Sequence, residues 1–378
     1  LFGGGQKIMA NGDAKRNPSI DIYKFFFSLL IAIFHFYGRS TPREHFPLGG
    51  VVVEFFVLAS GVFFYSKWEK KKETQISQLY PYQYAKQRFI RFFPYNFAGV
   101  LFAIFVKRIY LYTAKGGAIS FAKLVKWFSS DIWEILLVKM NGLNKGEHLL
   151  NGPAWTISAM FIAEFVIICC LVNWEKLFYT MICPLSILVG YGFWRNLENA
   201  ANEEWVGFTT FGVVRVFIVM CLAWYCYCLA LLIEKANFTK KGIWLLTLCE
   251  ITAYGMVFLI ILHGSTRNFR WLATLILLFA VALSASKRTY LYAASTKLNH
   301  TLVSWLGRIS FDIYLTHETI LQLYVYFYPD KYIMYRQKFT YMFVCIVTAV
   351  IFEGVVLLGK ACTHRLSVWL KRQILEGD

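Results

Sequence analysis

A lysine and a histidine lie on one face of the first apolar segment of the chain, IDIYKFFFSLLIAIFHFYG. Lys24 precedes His35 by eleven residues, which at about 100° per residue returns to nearly the same helix face, roughly 16 Å further along. An ionisable side chain inside hydrocarbon is costly, so its default interpretation is functional. Neutral imidazole titrates near working pH, which makes His35 a candidate general base or nucleophile. The alternative is a structural histidine hydrogen-bonded to a neighbour.

A carboxylate occupies the second apolar segment, GGVVVEFFVLASGVFF. If the first helix runs outward and the second returns, Glu54 and His35 lie at matching depths, each a few residues from the same membrane surface. A carboxylate beside an imidazole fixes its tautomer and stabilises the imidazolium. We therefore expect a His35–Glu54 dyad, the alternative being that Glu54 pairs with another polar group. Ser60 and Gly61 are better suited to close helix packing than to chemistry.

An arginine pair precedes the third apolar segment, in YAKQRFIRFFPYN. Arg88 and Arg91 are three residues apart and share a helix face, and Pro94 is expected to end or kink the helix there. Guanidinium groups bind phosphates bidentately, so the pair could hold a phosphorylated ligand. By pattern alone, ordinary lipid-facing positive charge explains the pair better.

Two further segments carry polar residues inside apolar surroundings. In NGPAWTISAMFIAEF, Asn151 and Ser158 could line a pocket, and Trp155 could line it too or serve as an interfacial belt residue. In WLGRISFDIYLTHETI, the spacing of Ser310, Tyr314 and His317 places them in one polar stripe, which in a bundle normally faces a cavity. Arg308 and Asp312 of the same segment, with Arg215, could form an internal ion pair.

The composition places the chain among membrane proteins. It has 378 residues, of which 58% are hydrophobic and 16% charged, against about 25% charged in soluble domains. Its net charge of +17 fits basic loops next to anionic lipid better than nucleic acid binding. The nine cysteines lie mostly in apolar runs without a CxxC pair, which favours core residues over a metal site or disulfide framework.

Long apolar stretches predict an all-α polytopic membrane protein, a single bundle of about ten transmembrane helices. The expected spans are 20–38, 48–66, 92–110, 152–173, 177–194, 207–233, 243–262, 269–285, 302–328 and 338–360. Together they form one membrane domain over residues 20–360, between a flexible segment 1–19 and a basic tail 361–378. Segment 1–19 does not have the pattern of a cleavable signal peptide, and whether residues 1–8, ahead of Met9, are native stays open.

Lysine and arginine are concentrated in alternate loops, and the positive-inside rule then places both termini in the cytoplasm. Residues 111–150 fit this scheme least well. The apolar positions between 119 and 136 follow a helical period interrupted by Lys123, Lys126 and Asp131, which predicts an amphipathic helix on or dipping into the outer surface. An eleventh span there would invert all later loops and spoil their charge pattern.

These pieces, in this order, resemble acyltransferase family 3, a family of integral membrane acyltransferases. The resemblance covers residues 17–360 and rests on DIYKFFFSLLIAIFHF, GGVVVEFFVLASGVFF, RFIRFFP, NGPAWTISAMFIAE and LGRISFDIYLTHETI. No single piece is specific, whereas the ordered set is. The family more often has arginine where this chain has Lys24, and the hydrolase-like domain that follows the bundle in some members is not expected here. The protein would then act alone or with a separately encoded partner.

The resemblance implies a function and a set of roles. Such proteins resemble ten-helix enzymes that move an acyl group, commonly acetyl, from cytoplasmic acyl-CoA to a hydroxyl, commonly of a sugar. His35 would be the catalytic histidine with Lys24 as its paired basic residue, and Arg88 and Arg91 would hold the CoA phosphates. Glu54 matches a polar position of the family's motifs. With the depth match we assign Glu54 to the catalytic group beside His35, and Lys24 with the two arginines to the donor. The polar and aromatic positions of the other motifs, Trp155, Tyr314 and His317, would line the pocket.

The resemblance and the charge pattern together predict an O-acyltransferase of the plasma or inner membrane with acyl-CoA as donor substrate and no permanently bound cofactor. The expected acceptor is an envelope or exported glycan or a glycolipid. The acyl group, the oligomeric state, and whether His35 acts as base or acyl carrier stay open. The main alternative is a secondary transporter, which would predict inverted repeats or paired broken helices that the sequence does not display. A binding protein of the envelope without chemistry would leave the buried histidine and acid without a purpose.

Overall fold

The architecture is that of a computed structural model, which describes residues 16–40, 48–73, 77–141, 150–196, 202, 204–263 and 267–376. Helices dominate these residues, and a two-stranded antiparallel ribbon pairs Trp205–Val206 with Thr209–Thr210. The expectation of an all-α membrane bundle is confirmed. The predicted flexible segment 1–19 falls largely outside the described residues.

The helices follow one another with short connections. The first half contains α1 (Pro18–Ser40), α2 (Val52–Lys72, after a 3₁₀ turn Gly49–Val51), α3 (Tyr80–Ala103), a π-helical stretch (Ile104–Tyr110), α4 (Leu111–Ala114), α5 (Phe121–Ile135), a 3₁₀ turn (Lys139–Asn141), α6 (Ala154–Leu177), a second π-helical stretch (Phe178–Ile182) and α7 (Cys183–Asn196). The second half contains α8 (Phe211–Lys235), α9 (Lys240–His263), α10 (Arg267–Ala285), α11 (Tyr290–Lys297), α12 (His300–Phe327), α13 (Lys331–Arg336) and α14 (Lys338–Glu376).

Seven helical stretches within the described residues are long and apolar enough to cross a membrane, or eight if a bent pair counts as one span. They are Pro18–Ser40, Gly49–Lys72, Tyr80–Ala114, Ala154–Gly190, Phe211–Lys235, Lys240–His263 and Lys338–Ser367, with Phe269–Ala285 and Tyr290–Lys297 as the pair bent by 54°. The count is lower than the expected ten for two reasons. The polar residues of α12 lower its hydropathy, and the expected spans 152–173 and 177–194 form one helical run.

That run is broken at Trp174, whose backbone has φ −142° and ψ 45°. Its direction along α8 reverses at the break. In α6, Trp155 approaches Gly212 at the start of α8; in α7, Cys183 donates to the carbonyl of Cys221 and Gly190 packs on Ile218. Helix α6 therefore begins where α8 begins, whereas residue numbers in α7 and α8 run in opposite order.

The bundle has two ends, which we call near and far. The near end is where α1 begins and α2 ends, and the far end is where α1 ends and α2 begins. Basic loops that the sequence placed on one side lie together at the near end, where Lys72 pairs with Glu175 of the α6–α7 break at 3.1 Å and Lys287 pairs with Glu234 at 3.3 Å. Helix α14 starts at the far end and returns, so both ends of the described chain lie at the near end.

Helix α12 runs beside α1 in the same direction. At the near end a Cβ added to Gly307 would lie within 3 Å of the Asp21 carboxylate, and towards the far end the rings of His317 and His35 meet. The polar stripe of α12 therefore faces the helix that carries the candidate base, because any other orientation would expose buried polar groups to lipid.

Two local expectations met different outcomes. Residues 121–135 do form a separate amphipathic helix, α5, whose 15 residues are fewer than the ~20 that a span needs. The expectation that the helix ends at Pro94 was wrong. Helix α3 continues through it, although a proline removes one backbone donor from the helix interior.

Gly61 allows α2 and α8 to approach closely, as its motif suggested. A Cβ at this position would lie 2.3 Å from the Cβ of Ala223. We expect Gly61→Val to cost 1–3 kcal/mol or more through overpacking, about the range for added core volume. Thermal unfolding in detergent measures this loss. Gly354→Val is the matched control, since nothing lies within 4 Å of a Cβ there; equal effects of the two changes would contradict the packing role.

Candidate active site

Two imidazoles meet towards the far end of the bundle. The ring centres of His35 in α1 and His317 in α12 are 5.2 Å apart, and His317 is fully buried. The structure thus brings together the two histidines that the sequence placed in separate motifs. Phe34 packs its ring against His35 at 5.0 Å between ring centres, which fixes one edge of the pair.

The tautomer of His317 follows from its contacts. Its Nδ1 lies 2.8 Å from the carbonyl oxygen of Tyr314 and 3.2 Å from that of Ile313. Carbonyls only accept, so Nδ1 carries the proton and, in the neutral ring, Nε2 carries a lone pair. That Nε2 is buried and has no hydrogen-bond partner among the described residues.

Tyr314 extends the same site by one helical turn. Its ring centre is 6.0 Å from that of His317 and 5.6 Å from that of Phe56 in α2. Its hydroxyl shares a 2.7 Å hydrogen bond with Thr156 at the start of α6. The predicted pocket residue Tyr314 therefore connects α12 with two other helices beside the histidine pair.

A lysine–glutamate pair borders the histidines. Lys107 Nζ lies 3.5 Å from Glu318 Oε1 and donates to the carbonyl of Leu150 at 2.6 Å. Lys107 belongs to the π-helical stretch of the third span, a feature that often occurs at functional sites. Gly152 leaves room for Glu318, whose Oε2 would lie 1.8 Å from a Cβ at that position.

Glu54 has a different partner from the one expected. Its Oε1 accepts from Nε and Nη2 of Arg215 in α8, at 3.0 and 2.7 Å, and lies 3.5 Å from Nη2 of Arg270 in α10. It forms no hydrogen bond with His35 in the described structure. The acid is at the far end, as predicted, but it faces α8 and α10 while His35 faces α12, so the expected dyad is not formed.

Trp155 lies against this ion pair. Its ring is 5.3 Å from the guanidinium carbon of Arg215, a cation–π distance, and the residue is only 8% exposed. It is therefore a buried neighbour of the far-end charges and not an exposed belt residue.

The other two residues of that motif differ in their surroundings. Ser158 donates to the carbonyl of Leu137 at 2.8 Å and accepts from the backbone of Met140 at 3.2 Å, so it holds the segment before α6. Asn151 is fully buried, and neither atom of its side-chain amide has a partner among the described residues. Only Asn151 is left with polar atoms free for a ligand.

Glu134 of α5 holds the backbone on which Asn151 lies. It accepts from the backbone amides of Leu150 and Asn151 at 2.9 and 2.7 Å, and Lys139 lies 3.5 Å away. Burial raises the pKa of the Glu134 carboxyl, while Lys139 and the two amides act in the opposite direction. The amphipathic helix thus anchors the loop that leads into the site.

Ser310 and its charged neighbours lie nearer the other end. The Ser310 hydroxyl donates to the carbonyl of Gly307, one turn back on its own helix, and it does not reach the histidine pair. The suggested Arg308–Asp312 pair was wrong, since Arg308 lies 3.3 Å from Glu353 of α14. Arg215, the third member suggested, pairs with Glu54 instead.

The two arginines at the near end differ in their contacts: Arg88 is paired with a carboxylate, whereas Arg91 is not. Nε and Nη2 of Arg88 both bond to the carboxylate of Glu164, which is 1% exposed and also accepts from the Tyr84 hydroxyl at 2.8 Å. Arg91 is exposed and makes no hydrogen bond or ion pair with other residues that the structure describes. Glu164 therefore orients Arg88, and Arg91 keeps its donors for a ligand.

Further cations surround Arg91. Arg16, Lys67 and Lys360 come from three different helices or their ends and lie close enough for electrostatic interaction with it. Lys24 points to the same end, pairs with Asp21 at 3.3 Å and lies 5.3 Å from the ring centre of Phe63. This basic cluster is suited to an anionic ligand with several phosphates.

Neither group forms a metal centre in the part of the chain that the structure describes, where no three histidine, cysteine or carboxylate side chains are gathered. A groove of about 830 Å³ beside the α6 break is lined by residues such as Trp68, Lys72 and Trp174. It contains none of the predicted site residues.

Comparison with known protein families decides the class. The sequence model of the Acyltransferase domain, that of acyltransferase family 3, matches residues 17–358, which includes every candidate residue above except Arg16 and Lys360. The chain belongs to acyltransferase family 3. Among curated proteins and among solved structures, no significant match is found.

This membership makes the protein a multi-pass membrane acyltransferase and favours acyl transfer over secondary transport. Two residues of the acyltransferase's far-end site were missed from the sequence, Lys107 and Thr156. Lys107 could have been found from the sequence, because it and Arg108 are two adjacent cations inside the apolar segment 92–110, which is unusual. Thr156 had left none, since a threonine in a membrane helix commonly bonds to its own backbone.

Proposed function

We propose that the protein transfers an acyl group, acetyl in the first instance, from acyl-CoA to a hydroxyl of an envelope or exported glycan or glycolipid. The observation that carries this proposal is the approach of the half-buried His35 to the buried His317, with the unshared Nε2 of His317, in a member of an acyltransferase family. A buried polar atom without a partner costs about 1–3 kcal/mol, so its retention favours a functional use.

In this proposal the near end faces the cytoplasm, because the basic loops gather there. The chain then crosses the membrane ten times. Eight crossings are the apolar stretches, counting the bent pair as one. Helix α12, which runs beside α1, is the ninth, and α7, which reverses direction at Trp174, is the tenth. The protein would lie in the plasma or inner membrane with both described ends on the cytoplasmic side.

The donor would enter from the near end. CoA carries several phosphate charges, and Arg91 with its neighbouring cations offers them open donors, while Arg88 is held by Glu164 as part of the frame. Lys24 is roughly 16 Å from His35 along α1. The extended arm of CoA is long enough to cover such a distance, so the nucleotide could stay at the basic cluster while the thioester reaches the histidines.

The chemistry at the far end then needs one base. His35 accepts the proton of the acceptor hydroxyl as the oxygen attacks the thioester carbon. The carbon–sulfur bond breaks, and the CoA thiolate leaves and takes up the proton from the imidazolium. Alternatively His35 attacks the thioester first and passes the acyl group on, which releases the same products. Tyr314, whose ring centre is 6.0 Å from that of His317, would help to bind the acceptor there, with Trp155 and Asn151 contributing from the same end of the bundle.

We expect Arg91→Ala to weaken acetyl-CoA binding by roughly 10- to 100-fold, from the loss of a charged hydrogen bond of about 1.5–3 kcal/mol. The fold should stay intact because Arg91 makes no hydrogen bond or ion pair in the described structure. Binding of radiolabelled acetyl-CoA to purified protein in lipid nanodiscs measures the first effect, and thermal unfolding measures the second. Lys86→Ala, which removes an exposed cation from the same helix, should change neither.

Arg88→Ala should act differently, since it leaves Glu164 buried without its partner and lowers stability by about 3–5 kcal/mol.

Transfer itself is assayed by following radiolabel from acetyl-CoA to the glycans of membrane vesicles. If the native protein binds no acyl-CoA at millimolar concentration, the proposed donor is wrong.

A further inference from the structure

We infer that His317 is the positioning partner of His35: its Nε2 accepts a hydrogen bond from His35 and thereby directs the other nitrogen of His35 at the reacting group. This inference deepens the proposed function and rests on it. It gives to a histidine of α12 the part that the sequence assigned to Glu54.

The backbone of α12 fixes His317 for this part. Two carbonyls, those of Ile313 and Tyr314, hold the proton on Nδ1, so the ring is oriented and its tautomer is set before any substrate binds. The remaining Nε2 is an acceptor with no partner among the described residues. With the ring centres 5.2 Å apart, small rotations bring facing ring nitrogens to a hydrogen-bonding separation of ~3 Å.

The nearby acids are engaged elsewhere. Glu54 is bound by Arg215, and Glu318 lies beside Lys107. The charged groups that act electrostatically on the two histidines are Glu318, Lys107 and Arg39, and none of them is hydrogen-bonded to either ring in the described structure. Nε2 of His317 is therefore the acceptor best placed to orient His35.

The consequence for the reaction is a defined proton path. His35 donates one N–H to His317 and uses its second nitrogen for the acceptor hydroxyl. When that proton arrives, the positive charge of the imidazolium is stabilised by the N–H···N hydrogen bond, and the proton then passes to the departing thiolate. His317 does not touch the substrate, and its own proton stays on Nδ1, hydrogen-bonded to the backbone carbonyls of Ile313 and Tyr314.

Two substitutions separate this role from a purely structural one. In His317→Asn the side-chain NH₂ can still donate to the two backbone carbonyls, as Nδ1 does, but no acceptor remains at the position of Nε2. In His317→Gln the longer side chain puts an acceptor near that place and gives up the Nδ1 bond. If Nε2 matters, kcat falls about 100-fold in His317→Asn, within the range for a lost proton-transfer component, and by no more than about tenfold in His317→Gln.

The assay follows the free thiol that purified protein in nanodiscs releases from acetyl-CoA, with water or a panel of oligosaccharides as acceptor. KM for acetyl-CoA should stay within about twofold in both variants, because the donor's phosphates are bound at the other end. The reverse order, with His317→Gln inactive and His317→Asn active, would show that Nδ1 anchoring matters and would overturn the inference.

His35→Ala is the reference variant that separates failure of the proposed function from failure of the inference about His317. If it releases thiol at the native rate, or if the native protein releases none, the proposed function fails and the inference with it. If His35→Ala is inactive while both His317 variants keep native kcat, only the inference fails.

Discussion

Replacing His35 by alanine is expected to lower acyl transfer by about 10²–10⁴-fold, the usual contribution of a positioned general base, and to leave acyl-CoA binding nearly unchanged. The physical reason is separation. The basic cluster that would hold the donor's phosphates is at the near end, whereas His35 meets His317 towards the far end. Paired measurements of acetyl-CoA binding and of label transferred to glycan test both halves of this expectation.

His263→Ala is the matched control for the His35 substitution. His263 also lies at the far end but is exposed at the close of α9, so it should keep native transfer. A His35→Ala protein that binds acetyl-CoA and transfers at the native rate would remove His35 from the chemistry. A transient acyl carrier would be distinguished from a base by mass spectrometry, which would find an acyl adduct on the peptide containing His35.

The helices were predictable because the information is local. Apolar runs of about 20 residues identify membrane helices wherever they occur, and each of the ten expected spans contains a helix of the described structure. The depth of His35 and Glu54 followed from the same counting along each helix. The break at Trp174 was predicted as a gap between two spans, although the backbone remains helical on both sides of a single residue.

The partners across the bundle were less predictable, because they depend on which faces of distant helices meet. Glu54 and Arg215 are separated by 161 residues, and nothing in either local pattern says that α2 packs on α8. The same limit applies to Arg88 and Glu164, 76 residues apart. The depth of a charged residue could be predicted from the sequence. Its partner could not, because that depends on how each helix is rotated about its own axis.

Substitutions of Glu54 and Arg215 test whether this buried pair stabilises the fold or takes part in the reaction. Glu54 is 1% and Arg215 6% exposed in their side chains, and removing one member of a buried pair costs about 3–5 kcal/mol. We expect Glu54→Gln to lower the free energy of unfolding by this amount, because it leaves both Arg215 and Arg270 without their carboxylate. Arg215→Met should cost less, since Arg270 remains 3.5 Å from Glu54.

The double variant Glu54→Gln, Arg215→Met then decides what Glu54 does. If the acid is structural, the two losses should not add, and the coupling should amount to 0.5–3 kcal/mol, about the range for residues in contact. Transfer per folded molecule should then survive in the double variant, because the buried Arg215 charge is removed together with the carboxylate that it binds. If Glu54→Gln instead keeps native stability and abolishes transfer, Glu54 acts in the reaction, as its position in the motif suggested. Unfolding in detergent and transfer assays on the same preparations separate these outcomes, since unfolding reports on the ion pair and transfer reports on the histidine pair.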